Sequence, residues 1–142
     1  KHILNEKDLS LVCAFVALLI HITISLRILN YDNFINYVEN TSVLFGWVVV
    51  AIILGFVLGM RPALWAGASI AFSIVAIVFC YWTRHDAMGW LIYLFCLPGG
   101  FIAYLILAFK ARNLPSKKAF VVSLLSILSA TYVNYVIFDY VM

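Results

Sequence analysis

The chain has 142 residues, of which 66% are hydrophobic and 11% charged, with a mean hydropathy of +1.10 and a formal net charge of +3. A water-soluble domain is about 45–50% apolar and roughly 25% charged, so a chain this apolar cannot cover a surface facing water. Composition therefore excludes an ordinary soluble enzyme and makes lipid the expected solvent. The first residue is Lys1 rather than Met, so a start is expected to be missing or processed. No small-residue cleavage site follows the first apolar run, so a secretory signal peptide is not expected.

Charged residues divide the chain into uncharged runs, and a bilayer crossing needs about 20 apolar residues. In chain order, spans are expected at about 9–28, 41–60, 62–83, 87–109 and 119–138, within a single membrane domain of residues 1–142. The first of these passes Arg27, whose stem can snorkel to the headgroups. The expected fold is an all-α, five-helix integral membrane bundle.

Direction follows from the placement of Lys and Arg. With five crossings, one side carries Lys1, Lys7, Arg61, Lys110, Arg112, Lys117 and Lys118. The other side carries Arg27 and Arg84 beside Asp32, Glu39, Asp86 and Asp139. This bias places the N-terminus in the cytoplasm and the C-terminus outside. Tyr81, Trp82, Trp90, Tyr93, Tyr135 and Tyr140 fall at the outer boundary, where amphipathic rings are favoured. The positive charge is topological, without the basic patch on a folded face that nucleic-acid binding requires.

The longest connection, residues 29–40, is expected to lay Phe34, Ile35, Tyr37 and Val38 on the outer interface as a half-turn. Asn40-Thr41-Ser42 matches the glycosylation pattern but abuts the second span too closely for modification. Arg61-Pro62 is a tight connection, so spans two and three are expected to be antiparallel neighbours. Gly55 and Gly59 on the second span, and Ala63, Gly67 and Ala71 on the third, recur every four residues. Small residues at that spacing let backbones approach, either within one bundle or across a homodimer.

The fourth span contains FCLPGGFIAY. Neither half of that run could cross alone, so the expectation is a break inside one crossing at Pro98, Gly99 and Gly100. Proline removes one helical hydrogen bond, and the glycines permit conformations that other residues resist. Such a break either kinks the helix or offers backbone groups to a ligand. On the fifth span, Ser123, Ser126, Ala130 and Asn134 are expected to face the bundle, with Val122, Leu125, Ile127 and Leu128 shared between lipid and neighbours.

His21 is the ionisable residue placed well inside a span, with Ser25 one turn further on the same face. An intramembrane ionisable group raises a functional hypothesis. A neutral imidazole bonded to another helix, proton or ligand handling, and haem ligation are the three readings. Arg27 either snorkels or pairs with Asp139. Arg84, His85 and Asp86 form a polar outer turn that is either solvated or touches a partner. Cys13, Cys80 and Cys96 are far apart with no CxxC spacing, so they are expected as buried thiols and not as a metal or redox site.

No cofactor is expected. No Asp or Glu lies deep in a span, which disfavours a proton- or sodium-coupled carrier. Cys96, Ser129 and Asn134 are not set up with His21 as a nucleophile–base pair, so an enzyme is disfavoured. Two classes remain. One is an interaction protein in a bacterial inner membrane: an accessory subunit of a larger complex, or an immunity-type protein. Its partners would be the lipid bilayer and an integral membrane protein or a second copy. The other is a small oligomeric channel or transporter using the Pro98 break, His21, Ser25, Cys96, Ser126 and Asn134.

Overall fold

The computed structural model describes the backbone of residues 5–28, 34–83 and 89–141, and side chains over 5–19, 22–23, 46–79, 81 and 92–141. These residues form five α-helices: α1 (Glu6–Ile28), α2 (Phe34–Val57), α3 (Pro62–Thr83), α4 (Gly89–Lys110) and α5 (Ser116–Val141). Three of them, α3, α4 and α5, carry apolar stretches long enough to cross a bilayer.

The helix ends follow local chemistry. Glu6 and Asp8 lie in the first turn of α1, where carboxylates complement the helix dipole. Pro62 opens α3 at a position whose N–H has no helical partner. Gly59, at φ +59°, closes α2: its N–H donates to the Phe56 carbonyl (3.1 Å), and the Met60 N–H donates to the Gly55 carbonyl (2.9 Å). That paired arrangement is the left-handed glycine stop, which a residue with a Cβ adopts only at a cost. Gly55 and Gly59 therefore do different jobs. A Cβ on Gly55 would stand 2.7 Å from Trp65 Cβ and from Tyr104 Oη, whereas one on Gly59 would meet nothing within 4 Å.

Helix α3 packs against each of the other four, and the α4–α5 and α3–α5 seams are the most extensive. Small residues make this possible. Ala63, Ala66, Gly67, Ala68, Ser69, Ala71, Ser73 and Ala76 keep α3 slim, and residues 63–69 are all buried. A stretch buried all round can be apolar all round, while further along α3 Ile74, Val78 and Tyr81 are exposed. The larger side chains Leu64, Trp65 and Phe72 are also fully enclosed. Phe72 stacks on Phe101 of α4 at 4.6 Å and meets Tyr104 edge-on at 6.4 Å. Residues 34–40 belong to α2 rather than to an interfacial half-turn. Tyr93, expected at a boundary, is enclosed against Phe79, while Tyr81 and Tyr140 are exposed.

Helix α5 buries Ala119, Ser123, Ile127 and Thr131, one residue per turn. Ile127 thus faces the core, and Ser126, Ala130 and Asn134 form a half-buried flank beside it. The sequence expectation combined two neighbouring stripes. The buried one meets α3 at Ser123 and α4 at Ile127 and Thr131, and Ala130 with Asn134 meets α4.

Candidate functional site

Two polar constellations tie the helices together. The first gathers where α1, α3 and α5 begin. Arg61, in the α2–α3 turn, sends one guanidinium nitrogen to the Leu114 carbonyl in the α4–α5 connection. Its other terminal nitrogen reaches Glu6 Oε2 at 3.4 Å and Ser116 Oγ at 3.3 Å. Ser116 Oγ in turn donates to Glu6 Oε2 at 2.6 Å. Arg112 extends from the same connection to the Leu58 carbonyl at the end of α2, at 3.5 Å. A planar guanidinium with five donors spread over three nitrogens suits a junction of this kind; a lysine would offer its three donors from a single nitrogen.

The geometry also fixes direction. Contacts among Glu6, Arg61 and Ser116 bring three helix N-termini to one end of the bundle. Helices α2 and α4 therefore run antiparallel to α1, α3 and α5. Glu6 holds its carboxyl below the ordinary value of 4.5, first through the Ser116 hydrogen bond and then through the Arg61 charge, against an opposing cost of burial. The Ala63 amide also favours the charged form, at a geometry too loose for a hydrogen bond, and Oε1 is covered without a bonded partner.

The second constellation is the α4–α5 seam. Helix α4 runs through Pro98 without interruption, so the expected break is not a break in the helix. Proline frees the Leu94 carbonyl, and Asn134 Nδ2 donates to the next one, that of Phe95. A Cβ on Gly99 would lie 2.8 Å from the Ala130 carbonyl oxygen and 2.9 Å from Asn134 Cβ. One on Gly100 would lie 2.7 Å from Thr131 Oγ1 and 3.1 Å from Phe72. At the two glycines α5 approaches α4 closely, so their missing side chains serve packing in this structure. Pro98 itself is exposed on the opposite side.

The other sequence candidates separate. Cys96 is fully buried as a free thiol within the core. Ser126 is half-buried and Asp139 exposed. Gly67 meets the Phe120 carbonyl and Ser123, while Ala63 and Ala71 are buried. His21, Ser25 and Arg27 lie on the α1 backbone, but their side chains fall outside the described residues, as do Arg84, His85 and Asp86 entirely. Among the described residues, no group of three metal-binding side chains comes together.

Sequence reasoning missed Glu6, Ser116 and the bonding role of Arg61. The sequence places Arg61 as a topological charge in a tight connection and shows no bonding partner for it. The available signal was an acid placed among basic residues at the same end, next to a connection too short to solvate its arginine freely. Comparison with protein-family models, curated proteins and solved structures found no match for this chain.

Proposed function

We propose that this chain is a five-span integral membrane protein, cytoplasmic at its N-terminus and external at its C-terminus, that works by binding another integral membrane protein. A bacterial inner membrane is the proposed setting, and an accessory subunit or an immunity-type protein the proposed role. One observation carries the reading: among the described residues, most of the buried polar side chains of the interior donate to a backbone carbonyl inside the bundle. Ser123 Oγ donates to the Leu64 carbonyl at 2.7 Å and Tyr104 Oη to the Ala51 carbonyl at 2.7 Å. Ser69 donates to Ala66, Ser73 to Ser69 and Thr131 to Ile127, each to a carbonyl on its own helix. Their hydroxyl protons are engaged inside the bundle, and among the described residues no charged side chain is buried beside them, which disfavours a permeation path. The working surface is then the outside of the bundle, where Phe95, Ile102, Ile106 and Phe109 project from α4.

The basic connections support the orientation. Arg61, Arg112 and the α5 start share one end, as a cytoplasmic face requires. The test has two arms. Purified from its membrane in mild detergent, the protein is expected to bring down one integral membrane partner at fixed stoichiometry. Reconstituted alone in liposomes, it is expected to pass neither ions nor small solutes. Flux abolished by His21→Ala would favour the oligomeric channel and defeat the interaction reading.

A further inference from the structure

Helices α1 and α5 both lie on α3 but pack little against each other, and a groove opens between them. Its first part, a cavity of about 430 Å³, begins at Glu6, Ser116 and Lys117 and is walled by Leu9, Cys13, Phe120 and Val121. Its floor is Ala63 and Ala66 of α3, whose small side chains leave the space open. A second cavity of about 240 Å³ continues from Cys13 between α1 and α3, past Ala17 to Ile77. Beyond the polar mouth the wall is almost entirely apolar.

We propose that this groove seats one anionic glycerophospholipid of the cytoplasmic leaflet, its phosphate at Lys117 and an acyl chain along α3. This rests on the membrane arrangement proposed above. Length selects the occupant. From Glu6 to Ala17, α1 advances about 16 Å at about 1.5 Å per residue. Half of a hydrocarbon core about 30 Å thick is about 15 Å. Along α3, from Ala63 to Ile77, the same rise gives about 21 Å, so the groove passes one leaflet but ends short of a full crossing; that is the reach of an acyl chain, whereas a crossing helix of a partner would use the full thickness.

Charge selects the headgroup. Glu6, the acid at the mouth, is already held by Arg61 and Ser116 in what is, among the described residues, the single ion pair. Lys117 stands exposed at the same mouth, outside that ion pair; Lys118, next to it in sequence, is exposed, as are Lys7 and Asp8 beside Glu6 on α1. Basic pockets between membrane helices on the cytoplasmic side suit anionic headgroups. The first turn of α5, where Ser116 and Lys117 lie, adds the positive end of a helix dipole.

Native mass spectrometry of the detergent-purified full chain tests this, using phosphatidylglycerol and phosphatidylcholine with matched acyl chains. One phosphatidylglycerol is expected to be retained, about fivefold over phosphatidylcholine, from a charge contact of the usual strength for one lysine. Lys117→Gln should bring the two lipids to near equality. Cys13→Trp, which fills the groove, should remove both; if that variant does not fold, Val121→Trp closes the groove from its exposed wall. Equal retention of both lipids by the unaltered protein, a preference unmoved by Lys117→Gln, or a polypeptide in the groove instead of lipid would overturn the proposal. Release of the chain from membranes by alkaline carbonate, without detergent, would instead defeat the membrane reading beneath it.

Discussion

The Arg61 junction and the Gly99–Asn134 seam both join helices distant in sequence, yet they do so by opposite means. At the junction, a half-exposed arginine, a carboxylate and a serine bond through side chains where the bundle ends. At the seam, glycine backbones lie against a carbonyl of the neighbouring helix, and one neutral side chain, Asn134, adds a hydrogen bond. The difference follows from the surroundings. Charges are tolerable where water and headgroups reach them. Deep in hydrocarbon there is no hydrophobic drive between helices, so close packing and a few amide bonds must hold them. The seam should therefore be sensitive to volume and indifferent to salt, and the junction the reverse.

The largest effect is expected from Gly99→Val. Its new atoms would run into the Ala130 carbonyl, which belongs to a helix backbone and cannot swing aside. A loss of about 3 kcal/mol, read from reversible unfolding in mixed detergent micelles, is expected; a neutral result would show that the seam is loose. Next comes Asn134→Leu, which keeps the branch at Cγ but deletes the bond to the Phe95 carbonyl. The same measurement should show a loss of about 1–2 kcal/mol, unchanged by added salt.

At the junction, Arg61→Gln should cost about 1 kcal/mol, because partly exposed ion pairs contribute little. That cost should shrink as salt is raised, since screening weakens the Glu6 pair that the substitution removes. The smallest effect is a pH dependence. Glu6 is held below its ordinary value in the folded state, so its contribution is complete above pH 4.5 and is lost as pH falls through the lower folded value. An acid titration of stability should show this slope in the wild type and lack it in Glu6→Gln.

The helices were legible because charge marks their ends. Lys110 stands beside an apolar run that no charge interrupts, and Pro62 opens another. The seam was legible in its residues but not in its meaning. Pro98, Gly99 and Gly100 read as a break, because proline and glycine weaken an isolated helix. The tertiary partner that makes the glycines useful lies on another helix. Gly59 shows the same limit. Spacing groups it with Gly55, but only its φ of +59° reveals a helix stop. The junction was least legible, since Glu6 and Ser116 are 110 positions apart and no local pattern joins them.

The central claim is that α1, α3 and α5 start on one side of a membrane and that α5 crosses it. Single cysteines placed at Lys117 and at Tyr140, in a chain whose native cysteines are replaced by serine, can be labelled with an impermeant maleimide in sealed vesicles of each orientation. Labelling of Lys117→Cys only from the cytoplasmic side, and of Tyr140→Cys only from the opposite side, is the result this account predicts. Labelling of both from the same side would contradict it.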